Sequence, residues 1–450
     1  MPEHRLLLRD IDIPDIEQMD MYVTHGGYDA AERMLAEMAS QDVIDEVERS
    51  GLTGRGGAWE AVAPKWRAMP APTATEPNYL CVNANESEPG TFRDRKLIER
   101  NPHQIVEGVL IAAYAIGART AYIYVRDGMA RGMKLLEDAI AAAYERGLLG
   151  VDIRASGYDL DIYVHPGGGA HIAGEETALL EALEGKRAQP RARTFWPHRT
   201  TLFGQPALVQ NVGTLAYLPH IIARGAEWFS SLGTQRHPGT CVFCVSGHVR
   251  RPGLYEIEMG AATLRELIEE YAGGVRQGHQ LKAVLPGGAA SVVLTADQID
   301  VRLCPEEWAV PGGGPLQGNF GTGGVIVMDE TTSMVDAALN LMQFYALESC
   351  GQYTPCREGA PWLRDVVRRV ERGQARMEDI GLLESVAAQV SPLLGEETLA
   401  LCRFAPSFAW AMQGFLRAFG EEFAQYIEAG GCPFPQDKGI KVPDSVSVRF

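Results

Sequence analysis

Apolar residues change rhythm three times along this chain. From Tyr28 to Ser50 (YDAAERMLAEMASQDVIDEVERS) they recur at helical spacing, and Gly51 supplies the stop. After a glycine-rich stretch at 51–57, short apolar runs alternate with helical segments. Asn78–Val82 (NYLCV), Thr120–Val125 (TAYIYV) and Asp161–His165 read as strands. Pro102–Ala118, Met129–Arg146 and a segment from about Gly174 read as helices. Strands alternating with helices predict an α/β sheet, largely parallel. Near residue 237 the pattern shifts. Thr240–Ser246, the segment GHVRRPGLYEI, a short helix at Thr263–Tyr271 and a closing run at Gly321–Met328 predict a small α+β domain. From Ser333 onward the pattern is helical: Val335, Leu339, Met342 and Ala346 share one face, and further helices are predicted at 357–372, 376–391 and 407–428.

The expected organisation is therefore an α/β domain over 1–236 with an N-terminal helical extension, an α+β domain over 237–330 and a helical bundle over 331–430. A Pro- and Gly-rich tail follows at 431–450. Composition fits a globular chain: 450 residues, 46% hydrophobic and 22% charged. The net charge of −17 argues against a nucleic-acid binder, which would carry a basic stripe. The longest apolar run, near Val109–Ala118, is far shorter than the ~20 residues a bilayer requires. The first residues carry charges inside their apolar stretch and do not read as a signal peptide. Eight cysteines are too few for a disulfide scaffold, so reduced thiols in the cytoplasm are expected, with metal or redox use open to some.

Four loops carry candidate chemistry. Gly54-Arg55-Gly56-Gly57, with Lys65 downstream, can cradle a phosphate: glycine lets backbone N–H groups approach, and Arg55 and Lys65 supply charge. The same glycines also suit a turn needing positive φ. Asn83-Ala84-Asn85-Glu86-Ser87-Glu88 follows a strand directly, where open α/β sheets place ligands; it also reads as an acidic surface loop. Gly167–Gly169 lead through His171 and Gly174 to Glu175 and Glu176 at a helix start. Those carboxylates complement the helix dipole, or they accept hydrogen bonds from an amide or ribose hydroxyls while repelling phosphate. Gln210-Asn211-Val212-Gly213-Thr214 offers short polar side chains of the kind that hold phosphate or ribityl oxygens.

Cys350 and Cys356 bracket Gly351-Gln352-Tyr353-Thr354-Pro355 at the end of the first bundle helix, and Cys402 lies before another helix. Closely spaced cysteines plus a distant one suit an iron–sulfur cluster; ordinary buried cysteine is the alternative. Cys241 and Cys244 sit on a strand, where residues three apart point to opposite faces, so they do not share a metal. Cys81, Cys304 and Cys432 read as structural.

In order along the chain, SGLTGRGGA with KW, NESEPGTFRDR, PHQIVEG, GEETALLEALEGKRAQPR, FGQPALVQNVGTL, GTGGVIVM, ESCG, TPCREG and the late Cys402 resemble the flavoprotein (F) subunit of bacterial NADH:quinone oxidoreductase, respiratory complex I. That family also takes in the diaphorase subunits of NAD-linked hydrogenases and formate dehydrogenases. The resemblance implies a Rossmann-like FMN domain, a ubiquitin-like (soluble-ligand-binding β-grasp) domain and a bundle carrying a [4Fe–4S] cluster. It implies hydride transfer from NADH to FMN and onward passage of single electrons. Gly54, Arg55, Gly56, Gly57 and Lys65 fall on the family's FMN loop, and Asn83, Asn85, Glu86, Asn211 and Thr214 on its other flavin contacts. Glu88, Gly174, Glu175, Glu176 and Trp196 fall at the nicotinamide nucleotide, with Glu88 and Glu176 as the catalytic pair. Cys350, Cys356 and Cys402 fall on cluster ligands. The implied partners are a thioredoxin-like 2Fe–2S subunit and a larger iron–sulfur subunit, with the membrane reached only through them, on the cytoplasmic side of the inner membrane.

The chain departs from the family at several positions. Glu60 and Ala68 stand where the family has aromatic residues, Asn85 where it has Asp, and His171 where it has Tyr. A carboxylate in place of a stacking ring loses dispersion and repels an anionic dinucleotide. Loss of the Asp carboxylate near a flavin favours the anionic reduced form and raises its potential. Tyr353 replaces the middle cysteine of a CxxCxxC. Three outcomes follow: a cluster with three thiolates and an oxygen or external ligand, a three-iron cluster, or none. Beside the NADH-oxidising reading stand two others, an FMN-binding paralogue with another electron donor or acceptor, and a purely structural role.

Overall fold

The computed structural model describes residues 3–192, 200–308, 320–392 and 400–434. They form two compact units. The first comprises the described residues up to Ser87, those of Phe92–Phe243, and Leu254–Ala262.

The first unit is built on a five-stranded sheet. Its strands are β1 (Tyr79–Ala84), β2 (Thr120–Val125), β3 (Asp161–Pro166), β4 (Thr201–Leu202) and β5 (Gln205–Asn211), in the order β3-β2-β1-β5-β4. All neighbours are parallel except β4, which runs antiparallel to β5. The helix Pro102–Ala115 is buried over nearly its whole surface, which its continuous apolar sequence permits. Asn101 starts it by accepting a hydrogen bond from the Gln104 N–H, with proline at the first helical position. Gly108 is required there: a Cβ would stand 2.2 Å from the Leu215 carbonyl oxygen.

The N-terminal extension is two helices, not one. Asp29–Glu37 and Ser40–Ser50 are separated by an extended Met38. The Asp42 carboxylate accepts the Ala39 N–H and restarts the helix, and Gly51, at φ +67°, ends it as predicted. The segment ahead of these helices is held by Glu256, fully buried, whose carboxylate accepts the backbone N–H groups of Leu6, Leu7 and Leu8 at 2.8–3.0 Å and the Thr240 hydroxyl at 2.6 Å.

The chain passes between the units within β6 (Thr240–Gly247) and at the start of β7 (Gly253–Glu258). In the second unit, β8 (Leu281–Leu285) and β9 (Leu294–Thr295) are antiparallel neighbours. β10 (Gly324–Asp329) pairs parallel with the end of β6 and antiparallel with β8. The predicted helix at Thr263–Tyr271 forms with a Thr263–Glu266 capping box, and its second half is a π-helical turn. Four helices follow: Met334–Glu348, Thr354–Glu371, Glu378–Val390 and Phe404–Ala429. On the first of them the buried stripe is Met334, Val335, Ala338, Leu341, Met342 and Tyr345. Leu339 and Ala346, predicted on that face, are only half-buried. Among the described residues no helix is long and apolar enough to cross a membrane. The parallel-sheet, Rossmann-like core and the helical C-terminal region agree with the fold class predicted from sequence.

Candidate functional site

The strand order places a crevice in the first unit. From β1 the chain builds outward through β2 to β3, then returns to the opposite side of β1 as β5. The carboxyl ends of β1 and β5 are thus the topological switch point of the sheet, where open α/β folds take ligands. Asn83 and Asn211 are register partners at those two ends.

Asn211 organises one wall. Its Oδ1 accepts the Thr214 N–H at 3.0 Å and caps the short helix Val212–Leu215. The Thr214 hydroxyl in turn accepts the Arg55 N–H at 2.8 Å, which ties the glycine loop to this turn. A Cβ on Gly56 would lie 3.1 Å from the Asn211 Cβ, so the loop passes close over it. The loop closes on itself through the Gly54 N–H, which donates to the Glu60 carbonyl at 2.8 Å.

The Arg55 guanidinium corrects one expectation. It donates to the Thr53, Pro238 and Thr240 carbonyls and lies between the rings of Trp59 and Tyr217, at 5.1 and 5.3 Å. Arg55 is 2% exposed, so its charge is spent inside the protein and not offered to a phosphate. The same packing buries Trp59, whose ring lies against Arg55 and His237. Glu60 and Ala68 are both exposed.

Lys65 is the cation that stays half-exposed. It sits on the short helix Val62–Arg67, and its Nζ reaches both Glu176 carboxylate oxygens at 3.1 and 3.2 Å and the Val209 carbonyl of β5 at 3.2 Å. Glu175 is occupied differently: as the N-cap of Glu176–Leu183, it accepts the Thr177 and Ala178 N–H groups. Asn83 donates to the Gly174 carbonyl at 2.8 Å and accepts the Asn85 N–H. Asn85 donates to the carbonyls of Ala170 and His171, and its buried Oδ1 has no partner among the described residues. His171, the family's Tyr position, shares a 2.7 Å hydrogen bond with the Ser87 hydroxyl. Burial, with the charge of Arg126, pushes its imidazole down to about 4, so it is neutral at physiological pH.

Glu86 faces the helix Arg93–Arg100. Its carboxylate accepts the N–H groups of Asp94 and Arg95 at 2.9 and 3.0 Å, and burial together with the Asp94 charge pushes it up to about 7. Asp94 then joins the two walls: its Oδ2 accepts a 2.8 Å hydrogen bond from Asn211. A Cβ on Gly213 would come 2.6 Å from Asp94 Oδ1. Sequence reading assigned Asp94 no role, although it lies in the NESEPGTFRDR motif; its spacing of eight residues from Glu86 was the available signal. The network brings together Gly54–Gly57, Glu86, Asn211 and Thr214 through Asp94, Lys65 with Glu176, and Asn83 with Asn85 and Gly174. Trp196 lies outside the described residues.

These groups fit a flavin mononucleotide. The Gly56 and Gly57 amides and Lys65 suit a phosphate, and the Asn85 Oδ1, unpartnered among the described residues, suits a ligand that brings N–H or O–H donors.

Two candidate groups belong to the second unit. Glu88 accepts the Ala290 N–H at 2.6 Å, and burial pushes its carboxyl up to about 7. Cys350 follows the end of the helix Met334–Glu348, Cys356 is buried near the start of Thr354–Glu371, and Cys402 precedes Phe404–Ala429. The Cys356 Sγ contacts the Ser349 hydroxyl at 3.2 Å. Burial pushes the Cys356 thiol up to about 11, and the charges of Cys402 and Cys350 add to the rise. Burial raises the phenol of the half-buried Tyr353, and the charge of Cys356 adds to the rise. The thiols supply three soft donors for iron.

Comparison with known proteins gives matches along most of the chain. Residues 47–220 match the Nuo51 FMN-binding domain, 242–327 the SLBB domain and 336–426 the NADH-ubiquinone oxidoreductase-F iron-sulfur binding region. The chain is 42% identical over 429 residues to the second F subunit of NADH-quinone oxidoreductase of Rhizobium meliloti (strain 1021), covering 95% of this chain and 99% of that one. It is 43% identical over 449 residues to the NADH-quinone oxidoreductase F subunit of Mycobacterium tuberculosis (strain ATCC 25618 / H37Rv), covering 98% of each. Among solved structures, it matches the NAD+-reducing [NiFe]-hydrogenase in the H2-reduced state with a TM-score of 0.77 at 30% identity, over 96% of this chain and 68% of that one.

Proposed function

Because the chain belongs to the family of NADH-quinone oxidoreductase F subunits, we propose that the residues gathered at the switch point of its first sheet do the work of an NADH-oxidising flavoprotein. The observation that carries this reading is the register pairing of Asn83 with Asn211, with the glycine loop fastened to Asn211 through Thr214. FMN, when bound, supplies a two-electron acceptor for hydride and a one-electron donor to an iron–sulfur cluster. The Gly56 and Gly57 amides and Lys65 hold its phosphate, and Asn83, Asn85, Asn211 and Thr214 face its polar groups. Glu86 acts at one remove, by fixing Asp94. Glu176, Glu175 and Glu88 serve the nicotinamide nucleotide, Glu176 after Lys65 has turned from it toward phosphate. No protein proton relay is needed, since hydride passes directly between cofactors.

The finer assignments go with this reading. They are a three-domain division at about 236 and 330 with a ubiquitin-like middle domain, a thioredoxin-like 2Fe–2S subunit and a larger iron–sulfur subunit as partners, and a cytoplasmic position peripheral to the inner membrane. The test is anaerobic purification followed by titration with NADH. Bleaching of bound flavin supports the reading; absence of flavin refutes it. Flavin that stays oxidised in NADH yet reduces with dithionite selects a paralogue with another electron donor. Burial of Trp59 beside the exposed Glu60 favours that second reading, because the dinucleotide then lacks one stacking ring.

A further inference from the structure

The iron–sulfur binding region, residues 336–426, contains three cysteines and no more: Cys350, Cys356 and Cys402. Protein-held four-iron clusters take four thiolates. The oxygen-bearing side chains nearest Cys356 in sequence include Ser349, whose hydroxyl touches its sulfur at 3.2 Å, and Tyr353, three residues before it. Both offer hard oxygen, which suits iron–sulfur chemistry less well than soft sulfur. Tyr353 is also the wrong length. It is the N-cap residue of Thr354–Glu371, midway between Cys350 and Cys356, and its oxygen lies a full aromatic ring farther from the backbone than a cysteine sulfur would.

We propose that this chain holds its cluster by Cys350, Cys356 and Cys402 alone, so that one iron corner has no protein thiolate and is released on oxidation. The proposal rests on the family reading of the region as a cluster site. The step balances as follows: the oxidised four-iron cluster, core charge 2+, loses one Fe2+ and one electron to leave a three-iron core of charge 1+. Ferricyanide, a one-electron oxidant, takes the electron. Ferrous iron with dithionite, which returns the electron, reverses it.

The full-length protein, reconstituted anaerobically with ferrous iron and sulfide, is treated with ferricyanide in the presence of a ferrous chelator. Expected are release of about one iron per chain and a paramagnetic three-iron signal in the oxidised state. Tyr353→Cys should keep all its iron through the same cycle, and Tyr353→Phe should behave as the wild type. The proposal is overturned if the wild type retains its iron through oxidation, if Tyr353→Phe alone fails to take up iron, or if the wild type takes up none. Thermal melting and flavin content show whether each variant is folded. Loss of NADH bleaching with the iron chemistry intact would strike the proposed function and leave this inference standing.

Discussion

Asp94 is the side chain on which the two walls of the flavin crevice meet, and replacing it by alanine tests that role. Asp94 is 4% exposed; its Oδ2 takes the Asn211 amide at 2.8 Å, and its backbone N–H goes to Glu86. Asp94→Ala keeps the backbone bond and deletes the side-chain bond to Asn211, together with the 3.5 Å ion pair to the buried Arg93. A hydrogen bond to a charged acceptor is worth about 1.5–3 kcal/mol. Asn211, left without that partner, also holds Thr214, and Thr214 holds the Arg55 N–H of the glycine loop. If the whole loss falls on the flavin-competent arrangement, affinity drops by about ten- to a hundredfold, at 1.4 kcal/mol per decade. The assay is quenching of FMN fluorescence on titration into the deflavinated protein, with circular dichroism and melting to show that the fold persists. Asp94→Asn, which retains volume and an acceptor oxygen, should lose less. If Asp94→Ala binds FMN within about twofold of wild type while Asn211→Ala binds far more weakly, Asp94 does not position Asn211 and the reasoning fails.

Three other outcomes are expected. Lys65→Met removes a half-exposed ion pair with Glu176, worth at most about 1 kcal/mol to folding, so melting hardly moves; FMN affinity nonetheless falls about tenfold or more and loses its salt dependence, as fluorescence titration at several ionic strengths would reveal. Glu256→Gln sets an amide donor among the N–H groups of Leu6, Leu7 and Leu8; hydrogen exchange there should accelerate, and stability should fall by about 2–4 kcal/mol in denaturant unfolding. At Asp329, burial favours the protonated form, but hydrogen bonds from Thr331 and Arg276 and the charge of His248 outweigh it and hold the carboxyl at about 2. A depressed carboxyl stabilises the fold above its unfolded value near 4 and ceases to do so as pH falls through 2. Denaturation midpoints of wild type and Asp329→Asn, separate at neutral pH, should therefore converge toward pH 2.

The parts of the fold legible in the sequence were those written in uninterrupted apolar runs. NYLCV and TAYIYV became β1 and β2, and the continuous apolar stretch after Pro102 became the buried helix. What escaped depended on single polar contacts. The break at Met38 follows from Asp42 taking the Ala39 N–H, which spacing does not reveal. QPALVQN, β5, was read only as part of a motif, because proline and glutamines interrupt its apolar pattern. In the site, the glycine loop, Lys65 and Asn211 were visible as residue types in motifs, and Asn83 as a polar residue following a strand. The burial of Arg55 was not, because a guanidinium near glycines reads alike whether it faces a ligand or the carbonyls of Thr53, Pro238 and Thr240. Tyr353 needed no structure to be noticed, but its neighbours did.

The pairing of Asn83 with Asn211 bears on how the protein acquires its cofactor during synthesis. A nascent chain that has emerged only through its first two strands owns half a mouth: the glycine loop and Asn83 are out of the ribosome, while the residues they clasp are still being translated. Flavin loading must await late, long-range closure of the sheet, and a polypeptide cut short before residue 211 would leave the ribosome colourless.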